Sequence, residues 1–132
     1  MIVIDASVLA NFLVDDGPSG RKARSALSDA GQAFVPDLID VETASVLRKR
    51  WIAQDITEDR FAAAVDILAA LPFRRYPTWL FLRRAYELRS TVTPYDATYV
   101  ALAESLDCEL LTCDARLARA SGPCCPVRVL SD

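Results

Sequence analysis

Histidine is absent from this chain of 132 residues, and that omission removes both the usual general base of nucleophilic triads and the commonest transition-metal ligand. Any chemistry must run on carboxylates, hydroxyls, thiols or cations. Lysine is confined to Lys22 and Lys49, which excludes a lysine nucleophile or a phosphate-binding lysine from the C-terminal half. The remaining basic side chains are arginines. Glycine is scarce, and no stretch reads as a linker, a repeat or low complexity. Long apolar runs are missing too: Met1-Ile2-Val3-Ile4 meets Asp5 at once and has no basic residues before it, so neither a signal peptide nor a membrane span is expected. The expected location is cytoplasmic, with no membrane partner. The four cysteines, Cys108, Cys113, Cys124 and Cys125, lack the paired spacing of structural zinc sites and read as buried thiols.

What is present bounds the rest. A hydrophobic content of 52% with 25% charged residues belongs to a folded domain, and the length suits one domain, 1–132. The run 2–4 is β-branched and leads into an apolar-periodic stretch from Ser7, a strand followed by a helix. After the Gly17-Pro18 turn a helix is expected over about 21–30, ended by Gly31, and then a strand over 33–35. Pro36 introduces a long helix to about Gln54, with Leu38, Val41, Ser45 and Ile52 on one stripe. Thr57 caps the next, which Pro72 stops. A short strand over 73–76, a helix from Thr78, and another from Thr93-Pro94 to about Leu106 follow. The pattern ends with a strand over 109–112, a short helix from Asp114 and a strand over 127–130. Strands alternating with helices indicate a parallel α/β sheet covered on both faces.

Four acids fall where such a sheet puts ligands. Asp5 ends the first strand, Glu42 lies early in the long helix, Asp96 is in the first turn of its helix, and Asp114 follows the fourth strand. Ligands bind outside the carboxyl ends of parallel strands. Each acid also has a structural reading. Asp5 and Asp114 suit helix caps, Asp96 follows Thr93 in a pattern close to a capping box, and Glu42 has Lys49 about two turns away as an ion-pair partner. Taken together, carboxylates without histidine suit hard cations, and the reaction class that follows is metal-assisted hydrolysis of a phosphate ester.

The residues resemble the PIN-domain ribonucleases of the VapC toxin kind. Ile2-Val3-Ile4-Asp5-Ala6-Ser7-Val8-Leu9 is similar to that family's opening strand with its first acid and following hydroxyl. Val35-Pro36-Asp37-Leu38-Ile39-Asp40-Val41-Glu42 resembles the segment bearing the second acid. Tyr95-Asp96-Ala97-Thr98-Tyr99-Val100-Ala101 resembles the third block, and Leu110-Leu111-Thr112-Cys113-Asp114-Ala115-Arg116-Leu117 the fourth. The blocks come in the family's order and span nearly the whole chain. The Cys124-Cys125-Pro126 turn is outside the pattern. The resemblance implies a three-layer α/β/α sandwich on a short, mainly parallel sheet of about five strands in an order near 3-2-1-4-5. It also implies Mg²⁺- or Mn²⁺-dependent cleavage of RNA, homodimers that can join a larger toxin–antitoxin complex, and inhibition by a small VapB-type antitoxin whose tail enters the active-site groove. Asp5, Glu42 and Asp96 would be the core metal ligands and catalytic acids, with Asp114 assisting and Ser7 and Thr112 supporting.

A formal charge of −3 sits awkwardly with a nucleic-acid substrate. Local basicity matters more than the total: Arg48-Lys49-Arg50, Arg74-Arg75, Arg83-Arg84 and Arg116 with Arg119 offer fork-shaped donors for phosphates, or else are solvated faces and ion-pair partners. Three competing functions follow. One is a PIN-like nuclease acting on DNA or in RNA processing without an antitoxin; the others are a receiver-like phosphoacceptor, which lacks its lysine here, and an inactive PIN binding module. Exposed apolar residues on the helices carrying Trp51, Phe61, Trp79 and Phe81 are expected to be partly covered by antitoxin or a second copy.

Overall fold

Strand and helix alternate from the first residues of the computed structural model, which describes residues 1–130. The order is β1 (Ile2–Ile4), α1 (Ala6–Val14), α2 (Pro18–Ala30), β2 (Ala33–Pro36), α3 (Leu38–Ile52), α4 (Glu58–Ala70) and β3 (Arg74–Tyr76). A 3-10 turn (Thr78–Phe81) leads into α5 (Leu82–Glu87), followed by α6 (Pro94–Leu106), β4 (Glu109–Thr112), α7 (Ala115–Arg119) and β5 (Val127–Val129). All four strand pairings are parallel and the sheet order is β3-β2-β1-β4-β5, as the resemblance implied.

The chain leaves β1 toward β2 and β3, then reverses toward β4 and β5. Because parallel crossovers are right-handed, that reversal puts the two sets of helices on opposite faces. Packing agrees: α1 lies against α2, α3 and α4, whereas α6 lies across β1, β2 and β4 beside α5. The sheet core is fully buried at Val3, Ile4, Val35, Leu110 and Leu111. Lying flat on that sheet, α6 buries every residue from Ala97 to Ala103. The reversal makes the β1/β4 edge the switch point, so the loops after these two strands frame a crevice.

Two local expectations differ from the structure. The stripe of α3 that faces the core is Ile39, Thr43 and Leu47, not Leu38, Val41, Ser45 and Ile52. Val41 is 77% exposed, because α1 packs on the neighbouring face. The helix from Thr78 is a 3-10 turn before α5, tied to α3 by the Thr78 hydroxyl, which donates to Asp37 Oδ1 at 2.6 Å and accepts from the Leu38 N–H at 3.2 Å. Gly31 ends α2 at φ 75°, the left-handed region where a side chain would be strained. Among the described residues no helix is long and apolar enough to cross a membrane.

Candidate active site

Asp5 closes β1 and caps α1. Its Oδ1 accepts from the Ser7 N–H at 3.1 Å, the Val8 N–H at 3.2 Å and the Ser7 hydroxyl, while Oδ2 accepts from the Thr112 hydroxyl at the end of β4. Both hydroxyls also bridge to the next loop: Ser7 Oγ accepts from the Cys113 N–H at 3.1 Å and Thr112 Oγ1 from the Asp114 N–H at 3.0 Å. Three side chains thus stitch the β1 and β4 loops together. Asp5 is only 6% exposed, and burial pushes its carboxyl pKa up against the opposing pull of the Ser7 and Thr112 hydroxyls and two amides.

Glu42 reaches the same crevice from α3. Its partner is not Lys49 but Tyr99 on α6, whose hydroxyl donates to Oε1 at 2.8 Å. Burial raises the Glu42 pKa, the Tyr99 bond opposes, and the charges of Asp96 and Asp5 raise it further. Tyr99 is fully buried, and burial with the nearby Glu42 charge holds its phenol protonated, so it serves as a donor. Sequence reading missed Tyr99. Its spacing of three from Asp96 places both on one side of α6, and that was the available signal.

Asp96 stands in the first turn of α6. Thr93 caps the helix by accepting from the Asp96 N–H at 3.2 Å, and the Asp96 side chain lines a cavity of about 220 Å³ with Asp114 and Arg116. Burial raises the Asp96 pKa, and the charges of Asp5 and Asp114 add to it, while Thr93 and Arg116 oppose. Asp114 caps α7 through the Arg116 N–H at 2.9 Å and is clasped by the Arg116 guanidinium at 3.1 and 3.0 Å, which holds its carboxyl below the usual range.

The electrostatics join the four acids into one group: Asp5 acts on Glu42 and Asp96, Asp96 on Glu42, and Asp114 on Asp96. Among the described residues no three of them stand at distances that would enclose a cation. The donor set nevertheless fits a hard divalent ion, since it is all carboxylate: burial disfavours the charge of Asp5, burial and neighbouring carboxylates disfavour those of Glu42 and Asp96, and a cation would favour all three.

Most of the basic clusters are tethered. Arg75 pairs with Asp40 at 2.8 Å, Arg84 with Glu104 at 2.8 Å, and Arg50 donates to Asn11 at 2.7 Å. Arg74 and Arg83 lie over the rings of Tyr76 and Tyr86. Lys49 lines the groove that also holds Glu42 and Ser45. Of the aromatics singled out, Phe81 is core, Trp51 and Phe61 pack on each other with centroids 6.2 Å apart, and Trp79 is 70% exposed. Cys108 is buried and Cys113 and Cys125 half-buried, but Cys124 is exposed, its thiol beside the Gly122 carbonyl at 3.4 Å and the Arg84 guanidinium at 3.8 Å. All four are free thiols.

A family model for the PIN domain matches residues 2–123. Ribonuclease VapC9 of Mycobacterium tuberculosis is 40% identical over 135 residues, covering 98% of each chain, and Ribonuclease VapC1 of the same organism is 37% identical over 129 residues, covering 97% of this chain and 96% of that one. Among solved structures, the sarcin-ricin loop cleaving toxin VapC20 of Mycobacterium tuberculosis superposes with a TM-score of 0.69 at 16% identity, covering 90% of this chain and 94% of that one. VapBC2 from Rickettsia felis, bound to a DNA fragment from its promoter, gives 0.66 at 14% identity, covering 98% and 99%. At those identities the structural likeness speaks for the fold alone.

Proposed function

The chain belongs to the PIN-domain family and stands with its VapC ribonucleases, and from that premise we propose that it is a Mg²⁺- or Mn²⁺-dependent endoribonuclease, the toxin of a VapB–VapC pair. The observation that carries the chemistry is the convergence of Asp5, Glu42 and Asp96 on the β1/β4 switch point, close enough that the charges of Asp5 and Asp96 press on Glu42 and that of Asp5 on Asp96. Asp5, Glu42 and Asp96 would hold the cation, with Asp114 beside them. When bound, such an ion supplies Lewis acidity for hydrolysis of a phosphodiester.

The chain's own residues do the positioning. Ser7 and Thr112 fix the Asp5 carboxylate in one orientation, and Tyr99 fixes Glu42 at Oε1. Arg116, 84% exposed, meets solvent at the mouth of the cavity, where a phosphate can compete with Asp114 for its guanidinium. A VapB-type antitoxin and a second copy of the chain are the partners we propose. Exposed Trp79, Leu80 and Leu82 on the turn leading into α5 support a protein-covered face there.

The test is cleavage of structured and single-stranded RNA, with single-stranded DNA alongside. RNA cleavage is expected only with Mg²⁺ or Mn²⁺, and full activity in excess EDTA, with contaminating nuclease excluded, refutes the mechanism. Cleavage of DNA in preference to RNA would refute the substrate. For the partners, light scattering at micromolar concentration and co-expression with a VapB-type antitoxin are decisive. A monomer that retains no partner removes that part of the proposal.

A further inference from the structure

Two hollows meet at Tyr95, in the first turn of α6 and one residue before Asp96. The larger, about 400 Å³, has Glu42, Ser45 and Lys49 on its walls; the smaller, about 150 Å³, has Leu38, Leu82 and Pro94. Tyr95 and Leu38 line both hollows, and Tyr95 is 62% exposed. Tyr86 is covered by Arg89 with 4.2 Å between guanidinium and ring centre, and Tyr76 lies beneath Arg74. Among the described residues, Tyr95 has neither a stacked ring nor a cation over it.

The backbone around Tyr95 is fixed from both sides. Thr93 caps the helix through the Asp96 N–H, and the Tyr95 carbonyl accepts from the Thr98 hydroxyl at 2.7 Å. The Tyr95 backbone is therefore held at a set place relative to the acids, and its ring projects from there. The ring offers a π face beside an apolar floor, with Lys49 as a cation in the larger hollow and Glu42 marking where that hollow joins the acidic group. A flat apolar ligand with a phosphate attached matches each of these features. Resting on the ribonuclease reading, we infer that Tyr95 is the platform on which one unpaired base of the RNA stacks beside the scissile phosphate, with Lys49 taking an adjacent phosphate.

The consequence concerns the substrate. A base within a duplex has both faces covered by its neighbours, so the cleaved position must lie in a loop, bulge or single strand. Loss of one base-stacking contact weakens binding by about 5- to 150-fold.

The experiment uses a single-stranded oligoribonucleotide carrying 2-aminopurine and the same strand annealed to its complement. Binding is read by fluorescence on an Asp5→Asn background without divalent metal, and cleavage is read with Mg²⁺ or Mn²⁺ on the otherwise natural sequence. Quenching of 2-aminopurine in the single strand, its absence in the duplex, and loss of quenching in Tyr95→Ala are expected. Tyr95→Leu should fail like Ala, whereas Tyr95→Trp should retain binding, since the face and not the apolar bulk is what is used. In cleavage, Tyr95→Ala should raise KM more than it lowers kcat. An active parent with Tyr95→Ala or Tyr95→Leu indistinguishable from it overturns this inference while leaving the ribonuclease reading intact; a parent inactive on every RNA overturns both. If Tyr95→Ala cuts RNA normally but no longer retains the co-expressed antitoxin, the hollow belongs to a protein partner and the base platform is refuted.

Discussion

Replacing Thr112 by valine keeps the shape of a fully buried strand residue and removes only its hydroxyl. That hydroxyl does two things at once: it donates to Asp5 Oδ2 and accepts from the Asp114 N–H at 3.0 Å. Without it, a buried carboxylate oxygen loses its donor and a backbone N–H loses its acceptor. A hydrogen bond to a charged group is worth about 1.5–3 kcal/mol and a neutral one about 1 kcal/mol, so Thr112→Val should cost about 2–4 kcal/mol near neutral pH. For a domain of this size that lowers Tm by roughly 8–15 °C. If the residue were only packing, valine would be as good in a strand and the change would be near zero or slightly stabilising.

The pH dependence sharpens the test. The Thr112 bond pulls the Asp5 pKa down against burial, so removing it raises a folded-state pKa that is already high. An acid raised in the folded state makes stability fall as pH rises through the titration, and valine steepens that fall. The gap between variant and parent should therefore be widest where Asp5 is ionised and narrow as it becomes protonated, down to the part due to the lost acceptor of the Asp114 N–H. Thr112→Ser restores the hydroxyl and should recover all but about 1 kcal/mol, the value of the missing methyl. Differential scanning calorimetry of metal-free protein at several pH values reads all three. A Tm for Thr112→Val equal to the parent's, or a gap that widens in acid, would refute the stitched-loop account.

Tyr99→Phe should leave the fold in place but free Glu42 from its donor, lowering kcat about tenfold with little change in KM; a parent-like kcat would show that Glu42 needs no positioning. Asp96→Asn should leave the metal-free Tm unchanged or higher, because burial and the charges of Asp5 and Asp114 oppose its ionisation, while abolishing cleavage and shrinking the Tm gain on adding Mn²⁺; a lower Tm with intact activity would reduce Asp96 to a structural residue. Glu104 is paired with Arg84 and accepts from the Cys124 N–H at 2.7 Å, which hold its pKa below the usual range. Its contribution is present above the ordinary carboxylate range and lost as pH falls through the lowered folded value, so Glu104→Gln should cost about 1–3 kcal/mol by urea unfolding near neutral pH and progressively less in acid.

Where the sequence was legible, one local signal decided the outcome. Thr93-Pro94 marks the start of α6 and Thr57 that of α4, because a hydroxyl cap and an N1 proline act within a single turn. The sheet order and the acids' shared crevice came from resemblance and from the switch-point rule, not from any one residue. What escaped depends on which face of a helix meets which neighbour. Apolar residues lie all around α3, so Leu38, Val41 and Ile52 formed as plausible a stripe as the buried Ile39, Thr43 and Leu47. Tyr99 escaped for a related reason: in a helix buried over seven successive residues its ring passes for core, and only its spacing of three from Asp96 separates it from the rings that merely pack.

The capping and ligand readings of the acids turn out to be compatible, and their overlap explains how the repulsion is tolerated. Asp5 and Asp114 are the caps of α1 and α7, and Asp96 lies in the first turn of α6. Three helix N-termini therefore point the positive ends of their dipoles at the acidic group, each contributing about 0.3–1 kcal/mol toward keeping a carboxylate ionised. That is too little to overcome burial at Asp5 and Asp96, whose pKa values remain raised. Asp114 has the Arg116 guanidinium in addition, and it alone is pulled below the usual range. The fold thus orients the carboxylates through caps and hydroxyls while leaving part of their charge uncompensated. That residue of uncompensated charge is what a divalent cation would neutralise, and it ties the geometry of the caps to the chemistry proposed for the site.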